Sequence, residues 1–490
     1  MHFDFPLWLR ITHLLNLIFL VLLARSGIQI LMDHPKLYWK DDSKDGTEWI
    51  KFSKKKMPTD KLWTSMDEAD APRNRIIALP GGFHNLGAAR NWHFLTGIFW
   101  FGTGIYYVSS MFISDQWRQL VPTSWSIIPG AWHSLLTYLS FHIPPASAFQ
   151  PFDPLQQLAY FAVVFILPLH MLATGLAMSP AMIAHFPWYT KLFGGRQKAR
   201  SFHFLGLVAF ILFVIIHVAL VCLVYFGNNI RNIVFGSEHG SILDASLIAL
   251  GFIVLVILFN ILITWFTLRH QRSWQRLSTF FLHPFIRTVF GWMGARQKYT
   301  EADYTNNFRV NGYPPETAGW LELKDENFKN WKLKVGGLVE NKLELSLQDI
   351  KDLHKQEQIT KHNCIQGWSA VGKWGGVPMR FIISFAKPSK KVKYVAFYGY
   401  DVDNKGREYY ETIEMRDAKD PMTILAYEFM GKTLPIEHGA PLRLRCERKL
   451  GYKMTKYLKR IEFIEDYRTI GEGMGGFRED TQYYDRVASI

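Results

Sequence analysis

Hydrophobic residues are concentrated in five long runs within the first 270 positions of the chain, and each run is long enough to cross a membrane. A helix needs about 20 apolar residues, each adding about 1.5 Å, to span the hydrocarbon core of a bilayer. The pattern therefore predicts an all-α membrane bundle of five transmembrane helices. The predicted spans are Pro6–Met32, Trp92–Ile113, Gln156–Met178, Ser201–Phe226 and Ile242–Leu268.

The pattern changes at about residue 295, where long apolar runs stop and short segments alternate between hydrophobic and polar residues. A period of two with β-branched and aromatic residues is typical of half-buried strands. Ser346 and Asp349 form a capping box, which predicts the start of a short helix. We therefore predict a soluble, β-rich α+β domain after the membrane helices. Its clearest strand segments are Trp331–Val335, Val392–Phe397 and Leu442–Cys446.

Composition refines this division of the chain. The 490 residues carry a net charge of +14, largely in loops beside the apolar runs and in the C-terminal part. Membrane lipid therefore accounts for the charge more simply than nucleic acid does. The three cysteines include no Cys-x-x-Cys pair, which argues against a disulfide framework or a zinc site. The first apolar run lacks a cleavage site, so we predict that it is an anchor. The predicted domains are a transmembrane domain at 1–230, a fifth helix with a linker at 231–295, and the soluble domain at 296–490.

Four histidines lie in the predicted spans at depths that match in pairs. His203 and His217 are 14 positions apart on the fourth span, which places them on one helix face about 21 Å apart. If successive spans alternate in direction, His13 lies level with His217, and His93 lies level with His203. Two b haems, each bound by two imidazoles from different helices, require this arrangement. The alternative is interior histidines that bond to neighbouring helices, but their cost inside a membrane favours function.

Residues 1 to about 230 resemble the bacterial cytochrome b561 and hydrogenase-type cytochrome b family. The resemblance rests on His13, on the Arg-x-Trp-His entry of the second span that ends at His93, and on the two histidines of the fourth span. It implies two b haems that exchange electrons with a quinone or quinol, in a multi-pass protein of the bacterial inner membrane. The fifth helix departs from the family and is expected to anchor the added domain. His170 has no partner at its depth, and we predict a packed core residue in preference to a quinone-site residue.

Cys364 lies in the stretch of the soluble domain with the most reactive residue types. A thiolate is a soft ligand that suits a transition metal, and the neighbouring His362 together with nearby lysines would favour the ionised form. The alternative for a lone cysteine is a small buried apolar side chain.

A second stretch of the soluble domain is rich in glycine and basic residues and runs from His438 through Arg443 to Lys453 and Lys456. Glycines allow close backbone approach, and these cations can hold a phosphate. The alternative is a solvated basic strand. From the residues alone, we predict an anion-binding β domain.

Residues 301–490 resemble the molybdopterin-binding domain of the sulfite oxidase family, nearer to its protein-methionine-sulfoxide reductase branch. The resemblance rests on the Cys-Ile-Gln-Gly-Trp-Ser, Leu-Ala-Tyr-Glu and His-Gly-x-Pro-Leu-Arg runs. It implies that Cys364 ligates molybdenum and that Tyr409 is an active-site tyrosine. Glu411 and Glu414 beside Tyr409 differ from the sulfite oxidase pattern, which argues against sulfite as the substrate. The residues implied to contact the pterin and its phosphate are Arg309, Asn311, His362, His438, Arg443, Lys453 and Lys456.

The two resemblances together predict an enzyme, a membrane-bound molybdenum oxidoreductase. Electrons would pass between the quinone pool and Mo-molybdopterin through two b haems, and a small S- or N-oxide would be reduced. The alternatives are oxidation of a sulfite-type substrate that feeds quinone, and a haem-b electron carrier whose pterin-like domain is not catalytic. A homodimer is a further expectation, whereas a nucleic-acid partner is not.

The side of the membrane on which the soluble domain lies is predicted differently by resemblance and by charge. Resemblance predicts the periplasmic side. The loops 33–91 and 179–202 carry most of the Lys and Arg residues, whereas 114–155 holds only Arg118 and 228–242 only Arg231. The positive-inside rule would therefore place the soluble domain in the cytoplasm, although long loops obey that rule less well.

Overall fold

The computed structural model describes residues 5–58, 60–72, 74–140, 153–290 and 298–488, and the chain forms two units. The predicted boundary between residues 295 and 296 lies outside the described residues. We name the units by their content: the helical unit and the β-rich unit. The helical unit comprises Met1–Gly27, Trp92–Leu176 and Arg200–His270, and the β-rich unit comprises Ile28–Asn91, Ala177–Ala199 and Gln271–Ile490.

Four helical segments among the described residues are long and apolar enough to cross a membrane. They are Leu7–Leu31, Pro154–Met178, Arg196–Leu223 and Ile242–Arg269, and they coincide with the first, third, fourth and fifth predicted spans. The second predicted span lies in the 28-residue helix Leu86–Ile113, which is not among the four. Polar and glycine residues interrupt the apolar sequence of that helix, so length and composition alone do not mark it as a span.

The first 290 residues are mainly helical, and a single two-stranded ribbon occurs in their described part. That ribbon pairs β1 (Lys36–Leu37) with β2 (Ile50–Lys51) in antiparallel fashion. A wider helical turn at Ala162–Ile166 joins the sixth and seventh helices into one rod. The helices are α1 Leu7–Leu31, α2 Ser65–Glu68, α3 Leu86–Ile113, α4 Trp117–Leu120, α5 Ile127–Leu139, α6 Pro154–Phe161, α7 Leu167–Met178, α8 Pro180–His185, α9 Pro187–Leu192, α10 Arg196–Leu223, α11 Phe226–Phe235, α12 Ile242–Arg269 and α13 Gln271–Phe290.

Polar side chains connect α12 to the other helices of the helical unit. Arg25 of α1 donates to Asn260 Oδ1 and to Thr264 Oγ1 of α12, each at 2.8 Å. Trp92 Nε1 of α3 donates to Thr267 Oγ1 of α12 at 2.9 Å. Because the three α12 side chains recur at helical spacing, they form one polar stripe on this apolar helix. The predicted fifth span is therefore an integral part of the helical unit and not only an anchor.

Two five-stranded sheets form the framework of the C-terminal part. One has the order β10-β9-β6-β5, with β11 also paired to β9, and the other has the order β4-β3-β12-β7-β8. All neighbours are antiparallel except β12 and β3, which are parallel. The strands are β3 Lys332–Gly337, β4 Leu343–Ser346, β5 Gln356–Asn363, β6 Ser369–Pro378, β7 Tyr394–Val402, β8 Glu408–Glu414, β9 Ile424–Phe429, β10 Lys432–Thr433, β11 Arg443–Arg445 and β12 Leu458–Ile464. The helices are α14 Ala318–Asp325, α15 Leu347–Lys351, α16 Met379–Ala386, α17 Met415–Ala418 and α18 Phe477–Gln482.

The three predicted strand segments and the predicted capping box are confirmed. They correspond to β3, β7 and β11, and Ser346 Oγ accepts from the backbone N–H of Asp349 at 3.1 Å to begin α15. Apolar side chains from both sheets meet in one core, which includes the fully buried Trp331 and Phe397. Cys446 lies in this core as well, which is the ordinary place for a structural cysteine.

The segment Ile28–Asn91 folds as part of the β-rich unit, and a buried carboxylate holds it there. Glu68 accepts from His34 Nδ1 at 2.8 Å and from Arg309 Nη1 at 2.9 Å, and it pairs with Lys36 at 2.7 Å. Burial alone would raise the pKa of Glu68, but the hydrogen bond and charge of His34, with the two further cations, hold that pKa well below its usual value. The ionised carboxylate therefore joins the first loop to the C-terminal part.

We expect Glu68→Gln to loosen this attachment. Removal of one charge from a buried network leaves the remaining charges uncompensated, which costs about 3–5 kcal/mol. Because the folded-state pKa is below the value of about 4.3 for a free glutamate, the stabilisation is present above that pH and is lost as the pH falls below it. Hydrogen exchange in residues 34–68 measures the effect.

The matched control is Glu340→Gln, which removes an exposed partner of Lys387. Exposed pairs contribute about 0–1 kcal/mol, so exchange should stay as in the unaltered protein. Equal protection of residues 34–68 in both variants would contradict the assigned role of Glu68.

Candidate functional site

The helical unit brings the four predicted haem-ligand histidines together in two pairs. The ring centroids of His13 on α1 and His217 on α10 are 6.2 Å apart. The ring centroids of His93 on α3 and His203 on α10 are 6.3 Å apart. Each pair joins two different helices, and α10 contributes one member to both.

These separations fit an iron atom bound between the rings of each pair. A metal–imidazole bond of about 2.0 Å and about 1.2 Å from nitrogen to ring centre put two opposed ring centroids about 6.4 Å apart. Rings on unrelated helix faces would lie farther apart. The pairing is the arrangement that two six-coordinate haems require, while ligation itself stays a prediction.

Hydroxyl groups fix the tautomer of the second histidine pair. Ser26 Oγ donates to the carbonyl of Leu22 at 2.7 Å and lies 3.1 Å from His93 Nδ1. Thr174 Oγ1 donates to the carbonyl of His170 at 2.7 Å and lies 3.0 Å from His203 Nδ1. Because each hydroxyl proton is already used, each hydroxyl oxygen accepts from an Nδ1–H group. The remaining Nε2 lone pair is then the one that can bind a metal.

His170 lies beside this pair but makes a different contact. Its Nε2 is 2.9 Å from the carbonyl oxygen of Phe202 on α10, and it donates a hydrogen bond there. A nitrogen that carries a proton has no lone pair for a metal. The contact agrees with the prediction that His170 is a packed core residue.

Cys364 lies on the loop that joins β5 to β6, immediately after the register pair Asn363–Ser369 closes the hairpin. Its side chain is 2% exposed and packs against Trp368 and Ala370. Burial raises the pKa of the Cys364 thiol to about 11. The expectation that His362 and nearby lysines would ionise this thiol is therefore wrong for the protein chain alone, because loss of hydration raises the thiol pKa more than the Gln366 backbone, Arg196 and Arg478 lower it. A bound metal ion would supply the charge that deprotonates the thiol.

Two polar side chains adjoin the Cys364 sulfur. Asn311 Nδ2 lies 3.6 Å from Sγ, and Gln366 Oε1 lies 3.7 Å from it. The Oδ1 atom of Asn311 is buried and has no hydrogen-bond partner among the described residues. Buried polar atoms without a partner are uncommon and call for a ligand or water, so Asn311 fits its predicted role as a cofactor contact.

Buried basic side chains gather near this loop, and the acidic groups that act on Lys456 are Asp401 and Glu437. Arg443 donates to the carbonyl of His438 at 2.8 Å, and its Nε is buried without a partner among the described residues. Burial, together with the nearby charge of Arg445, lowers the pKa of Arg443 to about 9. Burial, together with the nearby charge of Arg443, lowers the pKa of Lys456 to about 7. An anionic group bound here would relieve both the desolvation and the mutual repulsion. These residues therefore fit the phosphate of a pterin cofactor.

His362 takes part in the same cluster through a neighbour. Arg445 donates from Nη1 to His362 Nδ1 at 2.9 Å, and the pair of Arg445 with Glu447 at 2.8 Å balances the arginine charge. A side chain at Gly451 would collide with the His362 ring. The glycine thus permits close approach of the backbone to a predicted cofactor residue.

Tyr409 lies on β8 and donates from its hydroxyl to the carbonyl of Tyr452 at 2.9 Å. Burial raises its pKa well above the usual value, so it is a neutral phenol. Arg478 of α18 lies 5.8 Å over the Tyr409 ring and acts electrostatically on the Cys364 thiol as well. Arg478 was not identified as a site residue from the sequence. The one sequence feature that could have drawn attention to it is the glycine-rich stretch before α18.

Two of the predicted cofactor residues bind carboxylates of the β-rich unit. Lys453 donates to Glu411 at 2.8 Å, to the carbonyl of Gly475 at 3.2 Å and to Glu479, which uses all three of its N–H groups. Arg309 donates to Glu68 and to the carbonyl of Ser43, but its buried Nε has no partner among the described residues. The contacts of Lys453 therefore give no support to its predicted cofactor role, whereas Arg309 keeps one N–H group for a ligand.

Two family models match the chain. The one described as "Prokaryotic cytochrome b561" matches residues 4–236, and the one described as "Oxidoreductase molybdopterin binding domain" matches residues 320–469. The chain belongs to the prokaryotic cytochrome b561 family and carries a molybdopterin-binding oxidoreductase domain of the sulfite oxidase type in addition. Both resemblances drawn from the sequence are thus confirmed.

Similar proteins match one part of the chain or the other. The "Putative protein-methionine-sulfoxide reductase subunit YedZ1" of Azospira oryzae is 34% identical over 203 residues, which are 41% of this chain and 71% of that protein. The "Protein-methionine-sulfoxide reductase catalytic subunit MsrP" of Xanthomonas axonopodis pv. citri is 37% identical over 174 residues, 33% of this chain and 52% of that protein. The chain thus spans about half the length of that catalytic subunit.

A solved structure, the sulfane dehydrogenase SoxCD from Paracoccus pantotrophus, matches with 20% identity over 30% of this chain and 42% of that chain. Its TM-score is 0.26, so it adds nothing to the description of the fold. The family matches and the apolar helices establish an integral membrane protein and an oxidoreductase. Haem b and molybdopterin are the cofactors that the two families imply.

We expect Lys453→Met to destabilise the β-rich unit by about 3–5 kcal/mol, because it leaves two buried carboxylates without their cation. Glu411, Lys453 and Glu479 are each 0% exposed. The loss should be the same in protein prepared with and without molybdenum, as measured by denaturant unfolding.

Lys456→Met is the matched control, since the Lys456 ammonium bonds neutral oxygens, including the carbonyl of Glu437 at 3.1 Å. It should reduce retention of the cofactor and change the stability of the molybdenum-free protein little. If Lys453→Met affected cofactor retention alone, its assignment to the carboxylate pair would be wrong.

Proposed function

We propose that this protein is a membrane-bound molybdenum oxidoreductase that takes electrons from a quinol through two b haems and reduces an S-oxide or N-oxide. The observation that carries the proposal is the pairing of histidine rings at 6.2 and 6.3 Å, with one member of each pair on α10. Two such pairs 14 residues apart on one helix provide two haem levels, about 21 Å apart, across a membrane.

The chemistry balances for a sulfoxide. A quinol releases two electrons and two protons on oxidation to the quinone, and a sulfoxide takes up two electrons and two protons to give a sulfide and water. Haem b supplies one-electron transfer when bound, and molybdopterin supplies two-electron oxygen-atom exchange. The names of the relatives, which describe sulfoxide reductases, support a sulfoxide over sulfite as the substrate.

The residues of the β-rich unit have separate roles in this proposal. Cys364 ligates molybdenum, and Asn311 directs an N–H group at the Cys364 sulfur. His438, Arg443 and Lys456 hold the anionic end of the pterin cofactor. His362, fixed by Arg445, lines the same site.

Substrate contact falls to a different pair of residues. Arg478 carries a fixed positive charge and lies over the ring of Tyr409, whose hydroxyl donates to the carbonyl of Tyr452. The cation suits the polar oxygen of a sulfoxide or N-oxide, and Tyr409 would donate to that oxygen only by exchanging its present partner. Arg478 also acts on the Cys364 thiol, which connects this pair to the proposed metal ligand.

The chain segments that make up the β-rich unit support a count of five membrane spans. Loops 28–91 and 177–199 fold together with residues 271–490 in that unit, and all three segments must then lie on one side of the membrane. With spans at α1, α3, α6–α7, α10 and α12, an odd number of crossings precedes each segment. Without a crossing at α3, the two loops would be on opposite sides. The proposed domains remain 1–230, 231–295 and 296–490 along the sequence.

The presence of these loops in the β-rich unit also affects how their charge predicts the side of the membrane on which the unit lies. Many loop cations are part of folded structure, as when Arg196 donates to the carbonyl of Trp368 at 3.0 Å. Folded extramembrane segments cross membranes largely regardless of their charge. The charge of these loops therefore argues little for the cytoplasm, and we propose the periplasmic side of the bacterial inner membrane.

Replacement of Cys364 by serine tests the molybdenum end of the electron path. Haem reduced by a quinol analogue in the purified protein should be re-oxidised by methionine sulfoxide or by an amine N-oxide. Cys364→Ser should abolish this re-oxidation without loss of haem, because the soft thiolate ligand is removed. Absorbance difference spectra measure both quantities. Cys222→Ser, which alters an exposed cysteine, should behave as the unaltered protein, and full re-oxidation in Cys364→Ser would refute the proposal.

Haem stoichiometry tests the two-pair assignment. The unaltered protein should contain two haems per chain, and His217→Ala should retain one, since His93 and His203 are untouched. His170→Ala should retain two, because His170 bonds a backbone carbonyl. A pyridine haemochrome assay against protein concentration gives the count. A single haem in the unaltered protein, or two in His217→Ala, would contradict the assignment.

A further inference from the structure

The segment Thr64–Glu68 of the first loop packs against the part of the β-rich unit that carries the proposed molybdenum site. This segment lies within residues 4–236, the range matched by the cytochrome b561 model. The backbone N–H of Ser65 donates to the carbonyl of Val310 at 2.8 Å. Tyr313 donates from its hydroxyl to Asp67 at 2.6 Å. The segment therefore contacts Val310 and Tyr313, which flank Asn311 in the sequence.

Ser65 makes two hydrogen bonds with the side-chain amide of Gln366. Ser65 Oγ donates to Gln366 Oε1 at 2.9 Å, and Gln366 Nε2 donates to the carbonyl oxygen of Ser65 at 3.2 Å. Both residues are buried, with exposed fractions of 1% and 7%. The Ser65 carbonyl can only accept and the Ser65 hydroxyl donates to the amide oxygen, so both bonds favour the same orientation of the amide. The Ser65 hydroxyl and carbonyl thus orient Gln366 together.

The oriented end of Gln366 faces Cys364. Gln366 Oε1 is 3.7 Å from Cys364 Sγ and also accepts from Trp368 Nε1 at 3.4 Å. Asn311 Nδ2 approaches the same sulfur at 3.6 Å. The sulfur is therefore in contact with an N–H donor and with an amide oxygen, to which the thiol donates.

We propose that Ser65 is a positioning residue of the molybdenum site, so that the cytochrome half of this chain completes the site of its oxidoreductase half. Ser65 acts through Gln366, which it holds with the amide oxygen toward Cys364. The inference rests on the proposed ligation of molybdenum by Cys364. It assigns to the first loop a role in the properties of the metal centre besides its packing role.

The physical effect follows from the charge on sulfur. Hydrogen bonds to a metal-bound thiolate withdraw charge from it and raise the reduction potential of the centre. An amide oxygen held beside the sulfur has the opposite effect and keeps donors away. Loss of the Ser65 hydroxyl removes one of the hydrogen bonds that favour this orientation of the amide. The turned amide, which has an N–H group toward the sulfur, should then be populated more often, while the Ser65 carbonyl still opposes it. The potential should then rise.

The test uses the full-length protein with its cofactors. The potential and the line shape of the Mo(V) electron paramagnetic resonance signal are measured in Ser65→Ala, Gln366→Ala and the double variant. We expect Ser65→Ala to shift the potential upward and to alter the signal. In the Gln366→Ala background, Ser65→Ala should cause no further shift, because its effect passes through Gln366. Ser53→Ala is the matched control, since Ser53 is a buried serine of the same loop that donates to Asp70 at 2.8 Å.

A second readout does not need molybdenum. In protein prepared without the metal, Ser65→Ala should increase the rate at which an alkylating reagent modifies Cys364, measured by peptide mass spectrometry. Cys446, which is fully buried in the core, reports general loosening and should stay unmodified. An equal increase at both cysteines would show a structural effect and overturn the inference.

The outcomes separate this inference from the proposed function. If the unaltered protein binds molybdenum and Ser65→Ala leaves its resonance signal and potential unchanged, the inference is overturned and the proposed function stands. A further shift from Ser65→Ala in the Gln366→Ala background also overturns it. If the unaltered protein holds no molybdenum, the proposed function fails and the inference fails with it.

Discussion

The cost of burying a polar or charged side chain without a partner shapes both units of this protein. In the helical unit, Ser26 and Thr174 satisfy one nitrogen of each ring in the second histidine pair, and the other nitrogen is thereby defined as the potential ligand. In the β-rich unit, Lys453 pairs directly with two glutamates, whereas Lys456 bonds neutral oxygens and the buried Nε of Arg443 has no partner among the described residues. The same rule thus separates cations that stabilise the fold from cations that suit an anionic cofactor.

Two loops of the cytochrome half, within Ile28–Asn91 and Ala177–Ala199, belong to the folded β-rich unit. Glu68 holds the first loop through buried ion pairs, and Arg196 donates to the carbonyl of Trp368 in the hairpin loop that bears Cys364. Buried loop cations such as Lys36 and Arg196 are therefore parts of a folded structure. A fusion of this kind allows a residue from one family to contact the domain of another, as Ser65 does with Gln366.

Much of the architecture could be predicted because local patterns follow directly from burial. Four of the five predicted spans have the length and apolarity to cross a membrane, and the alternating segments correspond to β3, β7 and β11. The helix of the second predicted span, α3, is not among these four, because it mixes polar and apolar residues along its length. The ionisation of Cys364 was wrongly predicted because proximity in sequence to His362 says nothing about how deeply the thiol is buried.

The sequence by itself determined the two families, the apolar helices, the strand pattern and the four histidines with their matched depths, because each depends on residue types at regular spacing. Only the tertiary structure decided which partners the remaining residues have. Lys453 and Lys456 are three positions apart and look equivalent in sequence, yet one is neutralised by two carboxylates and the other is not. Ser65, Arg478 and Gln366 meet around one site from distant parts of the chain, and such contacts depend on the folded path that no local pattern encodes.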